Sequence, residues 1–108
     1  MRFEVLVTED AARDLREIYD SIAEHDAPGK AVHVLEQIEK AITSLATYPG
    51  RGGYPKELLP LGIREYRQAY FKPYRVIYRI AGRRVYVYLI ADGRRDMQAL
   101  LARRLLGT

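Results

Sequence analysis

The stretch that decides the fold is YRVIYRIAGRRVYVYLIA, residues 74–91, in which two runs of alternating β-forming residues flank Gly82 and Arg83. Such a pattern predicts a β-hairpin, and Gly at the first loop position is typical of a type II′ turn, whose twist matches that of the strands. Counting outward from this turn sets the register. It pairs Ala81 with Arg84 and, further from the turn, Val76 with Leu89.

This register divides the hairpin into two faces, because side chains alternate across a strand. The apolar face, which we predict to be core, consists of Val76, Tyr78, Ile80, Val85, Val87 and Leu89. The opposite face mixes cationic, aromatic and aliphatic side chains, namely Arg75, Ile77, Arg79, Tyr86, Tyr88 and Ile90. A dry core could not hold that mixture and a solvated face would not need it, so we interpret it as a binding surface. Cross-strand Arg and Tyr pairs that only stabilise an exposed face, at about 0.5 to 1 kcal/mol each, are the alternative.

The N-terminal part of the chain predicts a strand and two helices. Residues 2–7 alternate as a half-buried strand, and Thr8 is a good cap for a helix that ends near His25. A second helix begins around Pro28 and continues to about Tyr48, with an apolar stripe at helical spacing. The short link between the two helices predicts an antiparallel helical hairpin.

The stretch 49–62 is rich in Pro and Gly and predicts a loop, either functional or containing a short irregular helix at residues 57–59. Residues 63–71 alternate and predict a further strand of a meander, without indicating which of its faces is core. After the hairpin, Asp96 can cap a last helix that Gly107 can end.

The element order predicts an α+β fold: an N-terminal strand, a helical hairpin, a three-stranded antiparallel meander and a short C-terminal helix. In this arrangement the helices lie on one face of the sheet and the other face is open. We expect residues 1–108 to form a single domain around one core.

Composition narrows the classes of function. The chain has no cysteine, so disulfides and thiolate chemistry are excluded. We see neither a signal peptide nor a membrane-spanning run, and we therefore expect a cytoplasmic protein with no membrane role. The two histidines, His25 and His33, fall on helix surfaces and are assigned no role, and we expect no metal and no cofactor.

The charge of the chain is divided between its halves. Residues 1–50 carry five Lys and Arg against ten Asp and Glu, whereas residues 51–108 carry thirteen against four, so the halves have net charges of −5 and +9. Eleven of the fourteen arginines lie in the second half. Arginine suits bidentate recognition of phosphate or carboxylate, which indicates an acidic partner for that half.

Taken together, these residues resemble the RelE/ParE family of toxins from type II toxin-antitoxin modules, also known as plasmid stabilisation systems. The likeness covers nearly the whole chain. Its most specific part is residues 74–96, where the Tyr-Arg-x-x-Tyr-Arg strand and the Arg-Arg-Asp after the last strand have the family's spacing.

The resemblance implies one of two activities. ParE-like members inhibit DNA gyrase by binding it, whereas RelE-like members cut messenger RNA on the ribosome. The RelE-type sheet arginine falls on Arg75 and the arginine after the last strand on Arg95. The RelE lysines fall on Tyr66 and Gln68 and the C-terminal tyrosine on Leu101, and Asp92 stands where some related nucleases have a histidine, so these groups are missing.

The missing groups decide which branch we expect. Strand cleavage needs a general base, a general acid and positive charge for the transition state, and an arginine supplies only the charge. The acid and base would have to be strand tyrosines: Tyr66, Tyr70, Tyr86 or Tyr88. A phenol has an unperturbed pKa near 10 and would have to be made more acidic by neighbouring arginines.

We therefore predict a ParE-like gyrase inhibitor rather than an enzyme. The alternative is a RelE-like ribosome-dependent endoribonuclease using Arg75 and Arg95, and a third reading is a family relative that is no longer toxic. For the target-binding residues we predict Arg75, Arg94 and Arg95, converging at one end of the open face and contributing little to stability.

The resemblance also implies a cognate antitoxin. We expect it to be acidic and amphipathic, to fold on the toxin, and to cover the face formed by Arg75, Ile77, Arg79, Tyr86, Tyr88 and Ile90.

Overall fold

The computed structural model describes residues 2–107, with three α-helices and four strands in that part of the chain. In chain order these are β1 (Glu4–Val7), α1 (Glu9–His25), α2 (Pro28–Ser44), β2 (Tyr66–Phe71), β3 (Tyr74–Ala81), β4 (Arg84–Asp92) and α3 (Met97–Leu106). Two short 3-10 turns, Pro49–Arg51 and Leu59–Leu61, interrupt the long loop, and the second overlaps the irregular helix predicted at residues 57–59 only at Leu59. The predicted α+β class is confirmed.

Local chemistry accounts for most of the element ends. The Thr8 side chain accepts a hydrogen bond from the Ala11 amide at 3.1 Å, and Asp96 accepts one from the Ala99 amide at the same distance. Gly107 ends α3 in the left-handed conformation, at φ 71°. The second helix has no side-chain cap, because Ala27 occupies that position and Pro28 follows it.

The four strands form one sheet in the order β1-β4-β3-β2. The central hairpin and β2 are antiparallel, whereas β1 runs parallel to β4 and pairs with residues 84–87. Gly82 has φ 61°, as the predicted type II′ turn requires. The sequence left the place of the first strand open, and the structure puts it at the sheet edge beside β4.

The helical hairpin covers one face of the sheet, as predicted. Its buried side chains meet Val76, Tyr78, Val85 and Val87, with Phe3, Val5, Leu15, Ile18 and Ile22 packed around them. The buried side chains of α2 are Ala31, Val34, Ile38 and Ile42, whereas Leu35 is only partly buried.

The register predicted for the hairpin is wrong beyond the pair of Tyr78 and Val87, because β4 has a β-bulge at Tyr88. Tyr78 pairs with Val87 and Ile77 with Leu89, so Tyr88 is an extra residue on β4. Beyond the bulge every β4 side chain changes face. Ile90, predicted on the open face, therefore packs against the helical hairpin, and Leu89, predicted in that core, lies on the opposite face.

The opposite face is only half open, which corrects the prediction that all helices lie on one face. There α3 and Leu58 of the long loop form a second core over Ile77, Leu89 and Ala91, through Met97, Leu100 and Leu101. Ile77 and Ile90 are 0% and 1% exposed, so neither lies on an accessible surface as expected. Ile77 is covered by α3 and Leu58, which are distant from it in sequence, and Ile90 is covered by the helical hairpin because the bulge turns it to that face.

A side-chain clasp holds α3 to the rest of the molecule at the bulge. Strand β1 ends opposite Val87, which leaves the next part of the β4 edge without a strand neighbour. The Tyr88 carbonyl accepts a hydrogen bond from Arg104 of α3 at 2.7 Å, and the Ile90 amide donates to Asp14 of α1 at 3.0 Å. Arg104 also makes a bidentate pair with Asp14, at 2.8 and 3.0 Å.

Candidate target-binding surface

Two separate regions of the outer sheet face, one on each side of the α3 cover, remain accessible. The first, here called the tyrosine strip, consists of Tyr66, Arg79, Tyr86 and Tyr88. The Tyr66 and Tyr88 rings meet edge to face at 5.6 Å between centroids, and the Tyr86 and Tyr88 rings lie 6.4 Å apart. Arg79 is exposed and the tyrosines are partly exposed, so this strip keeps three of the six predicted antitoxin contacts accessible.

Arg75, predicted to contact both the target and the antitoxin, is buried. Only 6% of the residue is exposed, and its guanidinium donates two hydrogen bonds to the Glu57 carboxylate at 2.8 and 2.9 Å. The Gln68 amide oxygen accepts two more from Arg75, at 2.9 and 2.6 Å. The hydrogen bonds from Arg75 lower the pKa of Glu57, so this pair is ionised at neutral pH. Most of the donors of Arg75 are therefore committed inside the protein.

The second accessible region, here called the basic cleft, lies where the edge of the sheet meets the long loop. It has a volume of about 570 Å³ and is lined by Lys56, Gln68, Tyr70, Lys72, Pro73, Arg75, Gly93 and Arg94. Tyr70 is 54% exposed there. A side chain at Gly93 would force the buried Arg75 side chain to shift, because a Cβ atom would lie 2.8 Å from the Arg75 Cδ atom.

The structure brings two of the three predicted target-binding arginines together and separates the third. Arg94 shares the basic cleft with Arg75, and its guanidinium contacts the Asp92 carboxylate at 2.6 Å while the side chain stays 78% exposed. Hydrogen bonds from Arg94 lower the pKa of Asp92. Arg95 instead lines a different cleft, of about 220 Å³, with Glu17, Ile18 and Ser21 of α1.

The positions that RelE-like nucleases use for proton transfer hold groups unsuited to it. Gln68 is engaged with Arg75, and Leu101 is fully buried in the second core. Burial raises the pKa of Tyr66, which is the opposite of the shift that a general base requires. Within residues 2–107, no group of three or more His, Asp and Glu side chains is placed to hold a metal ion.

Sequence reasoning missed the partner of Arg75, Glu57, and the two lysines that line the basic cleft. Glu57 and Lys56 come from the long loop, and Lys72 from the turn between β2 and β3, so nothing in the strand pattern links them to Arg75. The signal that could have found Glu57 is its isolation: it is one of only four acidic residues in the basic half of the chain. An arginine predicted inside a sheet needs a carboxylate nearby.

The fold and this surface define the class of protein: a small toxin with the RelE/ParE architecture. A family model described as the ParE toxin of the type II toxin-antitoxin system parDE matches residues 5–97. The chain therefore belongs to the ParE toxin family, as the component of a type II system that acts as its toxin.

Individual relatives agree with this assignment. Toxin ParE3 of Caulobacter vibrioides is 29% identical over 100 residues, which cover 93% of this chain and 96% of the relative. Among solved structures, the chromosomal ParDE system of Pseudomonas aeruginosa matches with a TM-score of 0.70 and 22% identity, over 84% of this chain and 96% of that one.

The fold is shared with the RelE branch as well. The RelBE2 toxin-antitoxin complex of Mycobacterium tuberculosis matches with a TM-score of 0.62 and 21% identity, over 85% of this chain and 99% of the other. A double mutant of Escherichia coli RelE in the free state matches with a TM-score of 0.63 and 13% identity, over 93% of each chain.

None of the helices described between residues 2 and 107 is long and apolar enough to cross a membrane.

Proposed function

We propose that this ParE family toxin acts by binding and inhibiting DNA gyrase. The observation that carries the proposal is the state of Arg75, whose guanidinium is committed to Glu57 and Gln68 and is therefore not free to stabilise a cleavage transition state. Arg95 and Arg75 line different clefts, which also argues against a nuclease that uses both. Membership of the ParE branch supports the same conclusion.

Arg94 and Arg95 make the target contacts, because both side chains are accessible. Arg75 instead has a structural role, since it binds Glu57 and Gln68 inside the protein. Each exposed arginine can meet a carboxylate or phosphate on the target without first breaking a buried pair. Arg94 would exchange its exposed contact with Asp92 for one with the target, at little cost in stability.

Two assays on the purified chain test this proposal. We expect the wild type to inhibit gyrase supercoiling and the variants Arg94→Ala and Arg95→Ala to lose most of this inhibition. The control Arg103→Ala, which removes an exposed arginine from α3, should inhibit gyrase as well as the wild type does. Messenger cleavage is measured in parallel on translating ribosomes. Codon-phased cuts that disappear in Arg95→Ala, with gyrase unaffected, would overturn the proposal in favour of a RelE-like endoribonuclease.

An acidic antitoxin that covers the tyrosine strip completes the proposed function. Arg79, Tyr86 and Tyr88 offer a cation and aromatic faces to an amphipathic segment, and the structural neighbours are described as toxin-antitoxin systems. Ile77 and Ile90 are no longer part of this contact, since both lie in the cores. The tyrosine rings therefore supply the apolar part of the antitoxin interface.

The kinetics of association with the protein encoded beside this one test the antitoxin assignment. Because the attraction is largely electrostatic, association should slow as salt rises from low to physiological, while dissociation changes less. Tyr86→Ala should speed dissociation, whereas Tyr48→Ala, which removes an exposed tyrosine from the long loop, should leave it unchanged. A neutral or basic neighbour, or association that is indifferent to salt, would remove this part of the proposal.

A further inference from the structure

We infer that the basic cleft binds a single strand of nucleic acid, with a phosphate between Lys56 and Lys72 and a base stacked on Tyr70. The chain has only four lysines, and two of them line this cleft. Neither Lys56 nor Lys72 has a carboxylate oxygen within 4.0 Å among residues 2–107, so both ammonium groups are available to a ligand.

The division of charge inside the cleft favours phosphate over a peptide carboxylate. Arg75, which could bind a carboxylate in bidentate fashion, is committed to Glu57, whereas Arg94 has only an exposed contact with Asp92 that a ligand can replace. The cleft cations without an ion-pair partner among residues 2–107 are lysines, which act as point charges on flexible stems and suit a phosphate that lacks a fixed orientation. An acidic peptide would also need apolar anchors, and the aliphatic side chains of this sheet face lie under α3.

The aromatic part of the cleft favours an unpaired strand over a duplex. Tyr70 is half exposed beside the two lysines, and its ring is free to stack on a base that is not already stacked in a duplex. A volume of about 570 Å³ is within the range of sites that enclose a small ligand, and one nucleotide unit falls in that class. Arg75 lines the cleft with its charge already paired to the Glu57 carboxylate.

This inference extends the proposed function, in which the bound strand would be DNA at the target, but the affinity itself does not depend on gyrase. The test uses the purified chain alone. Binding of a fluorescent oligothymidylate about ten nucleotides long is measured by anisotropy across a salt series. An oligouridylate and a duplex of matching length are measured in parallel.

We expect the oligothymidylate to bind at low salt, more tightly than the duplex and at least as tightly as the oligouridylate. Lys56→Ala and Lys72→Ala should each reduce the slope of log affinity against log salt by about 0.7. Tyr70→Ala should weaken binding by about fivefold or more. Lys40→Ala is the matched control, because it removes an exposed lysine from α2 on the other side of the sheet.

Three results would overturn the inference. The wild type could fail to bind at low salt, Lys40→Ala could weaken binding as much as the cleft variants, or only the oligouridylate could bind. Loss of antitoxin binding in Lys56→Ala and Lys72→Ala, with oligonucleotide binding intact, would assign the cleft to the antitoxin instead. Failure of gyrase inhibition would leave the anisotropy result standing, so the two proposals fail separately.

Discussion

The Arg75 guanidinium and the Glu57 carboxylate face each other in two hydrogen bonds, of 2.8 and 2.9 Å, which join the start of β3 to the long loop. Their side chains are 8% and 14% exposed. Glu57 directly precedes Leu58, which packs in the second core, and Arg75 lines the basic cleft. An arginine placed for recognition by sequence reasoning therefore acts as the anchor of a loop.

Removal of Glu57 should destabilise the protein because it leaves a buried cation without its partner. For Glu57→Gln we expect the free energy of unfolding to fall by about 3 kcal/mol. Urea unfolding followed by circular dichroism measures this. Glu65→Gln, which changes an exposed carboxylate close in sequence, should stay within about 0.5 kcal/mol of the wild type.

The contribution of Glu57 should also depend on pH in a defined direction. Its folded-state pKa is lowered, so the stability that it contributes is present above the unfolded pKa, near 4.3, and is lost as pH falls through the folded pKa. The difference in unfolding free energy between the wild type and Glu57→Gln should therefore narrow as pH falls below about 4. A difference that stayed constant down to acid-induced unfolding would contradict the ion pair.

The three predicted site arginines should separate in their effects on stability. Arg75→Ala should lower the free energy of unfolding by about 3 kcal/mol or more, since it orphans Glu57. Arg94→Ala and Arg95→Ala should change it by less than about 0.5 kcal/mol, because both side chains are exposed. The sequence predicted that all three arginines contribute little to stability, and we now expect this only of Arg94 and Arg95. Melting curves of the three variants measure these differences in stability. An Arg75→Ala variant as stable as the wild type would contradict the buried ion pair.

The clasp between Asp14 and Arg104 should control how firmly α3 is attached. Arg104→Ala leaves Asp14 without its cation and the Tyr88 carbonyl without its donor, so we expect faster amide hydrogen exchange across residues 97–106. Exchange in α2 should change little. Arg103→Ala, at the neighbouring exposed position, is the control and should leave the exchange of α3 unchanged.

Gly52 should be intolerant of a side chain for a reason that its neighbour Gly53 does not share. A Cβ atom at Gly52 would collide with the Tyr78 hydroxyl and lie 2.5 Å from the Gln68 carbonyl oxygen, whereas one at Gly53 meets nothing within 4 Å. Gly52→Ala should cost about 1 to 3 kcal/mol and Gly53→Ala almost nothing. Equal melting temperatures for the two variants would show that the loop yields without cost.

The sequence by itself determined the elements and the family. Alternation around Gly82, helical stripes after Thr8 and Pro28, and caps such as Asp96 are local signals, because they depend on residues within a few positions of one another. They were enough to predict the central hairpin, the helical hairpin on its apolar face and the likeness to RelE/ParE toxins. The residue pattern of 74–96 carried the family assignment, which the ParE family model confirms.

Only the tertiary structure decided which predicted site residues are accessible. One extra residue at Tyr88 reverses the faces of Leu89 and Ile90, and the alternation of the sequence gives no sign of it. Burial of Arg75 depends on Glu57, eighteen positions away, and burial of Ile77 depends on α3 and Leu58. Such contacts are set by how separate elements pack, because a side chain is buried by whatever reaches it in space and not by its neighbours in the chain.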